Sequence, residues 1–246
     1  MENSCRRAMS LGLKAVAFTD HADYTDIAGG ARLDVAGYLQ GIEDCRRRFP
    51  ALTILSGVEL GEPHRFSEQA AAVLAAGDFD LVLGSLHCVS VSGHAVESSR
   101  LAEQQVSPAE LMRAYFEELL DLITGPIEFE VLAHLEYPKR YWPAAAAPYQ
   151  ASDYREILQA VLEAAAGRGM TVELNTTRGI DPGRGLCPGA EVIRWWRQAG
   201  GSRVSLGSDA HDPSRVAGGF ELAHQALESL GFSPSSLRIG IWDVTV

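Results

Sequence analysis

The stretch SLGSDAHDP, residues 205–213, decides how the rest of the chain is read. An apolar run carrying Val204 and Leu206 passes through Gly207 into Asp209 and His211. On an extended chain, residues two apart point to the same side, so Asp209 and His211 are expected to face one point in space. An acid and an imidazole presented together at a strand end suit metal ligation or acid–base chemistry. A salt-bridged structural pair is the plainer alternative. Partners at other strand ends would decide between them.

Working outward, apolar runs at 14–18, 52–60, 79–87, 128–134 and 170–175 read as strands, with 203–207 as the sixth. Helices are expected at 2–11, 34–49 and 67–76, and at 107–124, where Ser107, Pro108 and Glu110 form the start signal. Further helices are expected at 152–167 (capped by Ser152), 190–199 and 214–230. Segments 88–106 and 177–189 read as polar or glycine-rich loops, a proline- and alanine-rich loop runs to 149, and 237–244 reads as a last short strand or packing segment. Strands alternating with helices predict an α/β fold around a parallel sheet, and residues 1–246 are read as one domain.

The polar residues sit in a consistent register on this pattern. His21, Glu59, His87, His134, Glu173 and the Asp209/His211 pair all fall at or just past the C-terminal end of an expected strand. In an α/β barrel those ends converge on one mouth, where the site is built. Any one of these histidines alone is better read as structural. Four of the seven, together with two carboxylates, point to a metal site, and mixed imidazole and carboxylate ligation suits zinc, iron or manganese better than calcium. Glu59 ends an apolar strand, where a carboxylate is expensive unless a cation meets it, so a metal ligand able to bridge two ions is expected.

Other residues receive weaker assignments. Glu173 shares a side with Asn175, which leaves ligand, supporting group and substrate contact open. Asp20 is expected to point away from His21 and to cap or orient, and the Cys88 thiol to face away from His87, against a Cys–His dyad. Ser85 has no base partner in view. His64 and His94 are expected to face solvent, and His224 carries no assigned chemistry. Arg140, Arg178, Arg184 and Arg215 fall in loops after strand ends and could capture a phosphate, although most loop arginines are simply solvated. The glycines at 183, 185 and 189 form no dinucleotide-binding fingerprint.

The net charge of −11 argues against a nucleic-acid backbone or an anionic membrane as partner, and leaves room for a small phosphorylated metabolite met by local arginines or a metal. Four cysteines without a C-x-x-C pair read as reduced thiols, no apolar run reaches the length of a membrane span, and the N-terminus MENSCRRAMSLG lacks the apolar core of a signal peptide, so a cytoplasmic protein is expected.

The segments FTDHAD (18–23), GVELGE (57–62), GSLH (84–87), LAHLEYPKRY (132–141), VELNTT (172–177) and SLGSDAH (205–211) occur in the order found in PHP metallophosphoesterases. Over nearly its whole length the chain resembles that family, above all its histidinol-phosphatase branch. The resemblance implies a distorted seven-stranded TIM-like (β/α) barrel holding up to three divalent ions, zinc, manganese or iron. His21, Glu59, His87, His134, Asp209 and His211 would be ligands, and Arg140 and Arg178 would hold a substrate phosphate. It also implies hydrolysis of a phosphate monoester, L-histidinol phosphate in histidine biosynthesis, with Asp209 or His211 assisting the leaving alkoxide. The family opens on a strand carrying His-x-His, which this sequence lacks. The expectation is therefore an N-terminally incomplete barrel with fewer ions and a start residue placed too far downstream. Two rivals stand beside this reading: a PHP phosphoesterase for another metabolite or a nucleotide, and a non-catalytic remnant that binds metal or a partner. Oligomeric state is not legible.

Overall fold

The apolar runs form the strands expected of them. The computed structural model describes residues 1–25, 32–103, 106–178 and 184–245. The parallel strands are β1 (Ala15–Ala22), β2 (Thr53–Gly61) and β3 (Leu81–Ser85), followed by β6 (Val131–Leu132), β7 (Thr171–Asn175) and β8 (Arg203–Gly207). Between β3 and β6, β4 (Cys88–Val91) and β5 (His94–Glu97) form a separate two-stranded hairpin. The chain closes with β9 (Phe232–Pro234) and β10 (Ile241–Val244), both antiparallel. The main sheet has the order β1-β2-β3-β6-β7-β8-β10-β9 and curls into a half-barrel.

The helices are α1 (Glu2–Ser10), α2 (Val35–Arg48), α3 (Ser67–Ala75), α4 (Pro108–Thr124), α5 (Arg155–Gly167), α6 (Ala190–Gln198) and α7 (Phe220–Ser229). Their apolar stripes cover the sheet. The deepest is α4, which buries Leu111, Met112, Tyr115, Phe116, Leu119, Leu122 and Ile123. A second cluster under α1 and α2 joins Cys5 and Ala8 to Ile42, Cys45, Leu52 and Ile54. Tyr38, on α2, donates its hydroxyl to the Phe18 carbonyl at 2.8 Å and accepts from the Gly57 amide at 2.9 Å, tying α2 to β1 and β2.

Four local expectations are corrected. The stretch 88–106 is not a featureless loop: Ser92 (φ 51°) and Gly93 (φ 79°) make a two-residue turn whose twist suits a hairpin, and a 3-10 helix (Ser98–Glu103) follows. The strand expected over 128–134 is only two residues long, because the backbone turns left-handed at His134 (φ 52°) and again at Glu136 (φ 69°). Ser152 does not cap its helix; a 3-10 turn (Ala151–Tyr154) leads in, and no side chain caps α5. The helix expected at 214–230 breaks where Ala217 (φ 57°) and Gly219 (φ 80°) are left-handed, so α7 starts at Phe220.

The capping signal at Ser107 does form. Its hydroxyl accepts from the Glu110 amide at 3.1 Å, while Glu110 reaches back to the Ser107 amide at 3.4 Å. Replacing Ser107 with alanine is expected to lower stability by about 1 kcal/mol in a denaturant melt; an unchanged midpoint would contradict the capping role.

The strand ends converge where the sheet is open. The β1 strand pairs in parallel with β2 alone among the described residues. A cavity of about 1370 Å³ runs between β1 and the β8–β10 pair and reaches His21, Glu59, His134, Glu173 and Asp209.

Candidate metal centre

Parallel register sets the first pair of the site. His21 lies directly opposite Glu59 in the β1–β2 ladder, so both side chains leave the same face at the C-terminal end of the sheet. Glu59 is 5% exposed and is met by three imidazoles. His134 Nε2 lies 2.9 Å and His87 Nε2 3.2 Å from Oε1, with His21 Nδ1 3.7 Å from Oε2. The two Nε2 atoms are themselves 3.3 Å apart. Ligand atoms of His21, Glu59 and His87 all lie within 4.8 Å of one another.

Backbone detail aims these groups. His87 follows β3, where Glu62 Oε1 accepts from the amides of His87 (2.6 Å) and Cys88 (2.9 Å) and fixes the turn. His134 takes its left-handed conformation at the end of β6 and stacks on Tyr137, with ring centroids 4.9 Å apart and planes 23° from parallel. Tyr137 also lies under the Arg140 guanidinium, 5.0 Å from the ring centre.

On the far wall, Arg140 and Asp209 close the site. Arg140 sits in a 3-10 helix (Tyr137–Tyr141), not in an open loop, and is 4% exposed. Its NH1 donates to Asp209 Oδ2 at 2.8 Å, while NH2 is buried without a hydrogen-bond partner among the described residues. Asn175 Nδ2 donates to Glu173 Oε2 at 3.2 Å and lies 3.3 Å from Asp209 Oδ2. Gly207 leaves the space for Glu173: a Cβ there would run into the Glu173 carboxylate.

The same-side argument for Asp209 and His211 needs correcting. Strand β8 ends at Gly207, and Asp209 is left-handed (φ 48°), so the two residues are not on an extended chain. They meet through a local turn, with His211 Nδ1 3.1 Å from the Asp209 carbonyl and 3.4 Å from its Oδ1. The His211 side chain is 73% exposed, and its ring centre lies 5.6 Å from that of His21. Arg178 is exposed on the turn after β7. Arg215 donates to the Thr177 carbonyl at 3.0 Å and Arg184 to the Trp142 carbonyl at 3.3 Å.

One further sequence assignment falls differently, and one residue is added. His64 does not face solvent: its side chain is 9% exposed, with Nε2 2.9 Å from Glu118 Oε1. Asp23, which the sequence reading passed over, joins the cluster, with Oδ2 3.3 Å from His21 Nδ1 and Oδ1 3.4 Å from His87 Nδ1. It lies two residues beyond His21, so the spacing rule applied to Asp209 and His211 would have found it.

The electrostatics are those of a cation site. Burial opposes ionisation of Glu59, but the charge of His21 and hydrogen bonds from His134 and His87 hold its carboxyl well below the usual range. Glu59, aided by Asp23, pushes His21 up to about 9. Burial opposes a charge on His87, yet Asp23 and Glu59 raise it well above the usual imidazole value. Burial dominates at His134 and lowers it. Burial, with Asp209 and Glu59 nearby, pushes Glu173 up to about 8. Burial also works against Asp209, but Arg140 keeps its carboxyl below the ordinary value. The donor set of imidazole nitrogens around one buried carboxylate fits zinc, iron or manganese.

A metal ion bound here would have to displace protons. Since the folded value of His21 lies near 9, above the unfolded value of about 6.5, its stabilising protonation is complete below pH 6.5 and lost as pH rises through 9. Zinc affinity is expected to climb across that window, and binding at pH 7 to release about one proton or more. Calorimetry in buffers of different protonation enthalpy checks this; a buffer-independent enthalpy would contradict it.

A family model described as PHP domain matches residues 1–177. The chain is 26% identical over 226 residues to histidinol-phosphatase of Lactococcus lactis subsp. lactis IL1403, covering 92% of this chain and 83% of that protein. The crystal structure of histidinol phosphate phosphatase from the same organism, complexed with zinc, L-histidinol and phosphate, superposes with a TM-score of 0.80. That match has 24% identity and covers 94% of this chain and 87% of the other. A Listeria monocytogenes structure matches with a TM-score of 0.74 at 16% identity, over 90% and 92% of the two chains. At these identities the structural likeness establishes a shared fold.

Proposed function

Since the chain belongs to the PHP domain family, we propose that it is a metal-dependent phosphate-monoester hydrolase acting on L-histidinol phosphate, a step of histidine biosynthesis. The observation that carries this reading is the convergence of His87 Nε2 and His134 Nε2 on one oxygen of buried Glu59, with His21 at the other. Support for the substrate comes from the Lactococcus relative, which bears the name histidinol-phosphatase and whose fold was solved with zinc, L-histidinol and phosphate.

The ligands in this reading are His21, Glu59, His87, His134, Asp209 and His211, holding zinc, manganese or iron. A divalent ion there supplies Lewis acidity toward water and a phosphoryl oxygen. The protein's own groups do the rest. Arg140 is a buried, fixed guanidinium with one NH2 unpaired, suited to a phosphoryl oxygen in a water-poor wall. Arg178, exposed on the turn after β7, is the second phosphate-binding arginine of this reading. Arg140 holds Asp209 ionised, so Asp209 serves as ligand and proton acceptor. His211, open to solvent beside it, can give a proton to the leaving alkoxide when it is not itself bound to an ion. No helix of the described residues is long and apolar enough to cross a membrane. A small phosphorylated metabolite in the cytoplasm is the partner this reading names.

Phosphate release from L-histidinol phosphate by the zinc- or manganese-loaded protein, set against a nucleoside monophosphate and p-nitrophenyl phosphate, tests the proposal. Preferential release from L-histidinol phosphate is expected. Turnover of the other monoesters alone would reassign the substrate, and no turnover with bound metal would overturn the enzyme reading.

A further inference from the structure

Asp23 stands immediately after β1, in no regular element, yet its side chain is only 17% exposed. Its two oxygens address two different rings of the metal centre. Oδ2 is 3.3 Å from His21 Nδ1, and Oδ1 is 3.4 Å from His87 Nδ1. His87 therefore lies between two carboxylates: Asp23 on its Nδ1 side and Glu59, 3.2 Å away, on its Nε2 side. An imidazole has one proton to place when neutral. A carboxylate at Nδ1 draws the proton there and leaves the Nε2 lone pair free for an ion.

The fold makes room for this carboxylate. Gly61 is the last residue of β2, paired with Ser85 of β3, and a Cβ built on it would collide with Asp23 Oδ1. The strand thus omits a side chain at the one place where the Asp23 carboxylate rests. That oxygen is buried and has no hydrogen-bond partner among the described residues, and His87 Nδ1 lies 3.4 Å from it.

We propose that Asp23 is a positioning residue of the metal centre: it sets the Nδ1–H tautomer of His87, holds the Nδ1 edge of His21 beside Glu59, and depends on Gly61 for its seat. The proposal rests on the reading of the cluster as a divalent-metal site. It assigns Asp23 no contact with substrate.

The test is zinc binding by the whole chain, read by calorimetry and by ring-nitrogen NMR of the histidines. The Asp23→Asn variant is expected to bind zinc about 10- to 100-fold more weakly than the native protein, the range typical of lost outer-shell partners. In the zinc-loaded variant the His87 ring signals are expected to lose the single Nδ1–H pattern of the zinc-loaded native protein, and Asp23→Glu, which keeps the charge, to recover part of the affinity. Gly61→Ala leaves Asp23 in the sequence but fills its seat, and is expected to weaken zinc binding as well. Zinc affinity within threefold of native in Asp23→Asn, with the His87 tautomer unchanged, would overturn the proposal. If Asp23→Asn fails to fold, Gly61→Ala decides: native affinity in that variant would overturn it equally. Absence of zinc binding by the native protein would instead bring down the metal-site reading beneath it.

Discussion

Replacing Glu59 with glutamine is expected to reduce phosphate release by about a thousandfold or more and to strip the centre of its zinc. Three imidazoles point at this carboxylate, the nearest at 2.9 Å, and it is buried. A neutral amide of the same size presents an NH2 where one of the histidine nitrogens now finds an anion, so the substitution removes charge and also inverts a donor–acceptor pair. Loss of several kcal/mol of transition-state stabilisation from the ion is the magnitude implied, with each 1.36 kcal/mol a factor of ten. Steady-state kinetics and metal content measured on one preparation check it. Near-native turnover would contradict the placement of Glu59 at the heart of the site.

The second large effect concerns folding. Replacing Lys139 with methionine is expected to destabilise the protein by about 3–5 kcal/mol, because it leaves a buried carboxylate unpaired. Lys139 and Glu136 are 7% and 1% exposed, and Nζ donates to Glu136 Oε2 at 2.7 Å and to the Leu186 carbonyl at 2.8 Å. Glu136 also accepts from the Gly189 amide. Burial opposes the charge on Lys139, but Glu136 more than offsets it and raises the ammonium above its ordinary value. The pair thus fastens the loop ending at Gly189 to the turn that carries Arg140. A Tm drop of about 10 °C is the corresponding thermal effect for a chain of this size. Adding Glu136→Leu should recover only part of the loss, since the Gly189 amide and Leu186 carbonyl would still lack partners. A single-variant loss below about 1 kcal/mol would contradict the account.

Much of this architecture is legible in the chain because apolar runs and polar strand ends obey one period. The six parallel strands lie where those runs lie, and the β1–β2 register sets His21 beside Glu59. Short-range backbone geometry is harder to read. The hairpin around Ser92–Gly93 hides in a polar segment of short strands, although its Ser-Gly turn was a usable signal. Left-handed residues at His134, Glu136 and Asp209 are hard to read, since Asp and His favour that region more than most residues but far too weakly to mark single positions. The same holds for buried partners. Glu62, Glu136 and Glu118 look like solvated acids in the sequence. Glu62 and Glu118 are buried because a backbone amide and an imidazole distant in sequence meet them, and Glu136 because Lys139, three residues on, and the distant Gly189 amide do. Arg140 is visible as a phosphate candidate, but its ion pair with Asp209 joins residues 69 positions apart, one in a 3-10 helix and one just past β8.

The central claim is that His21, Glu59, His87 and His134 form a divalent-metal centre, and anomalous diffraction at the zinc edge from zinc-soaked crystals tests it most directly. The account predicts a strong peak about 2.0–2.2 Å from a Glu59 oxygen and from the Nε2 atoms of His87 or His134. Zinc found only at surface residues, with Glu59 still bonded directly to His134, would contradict it.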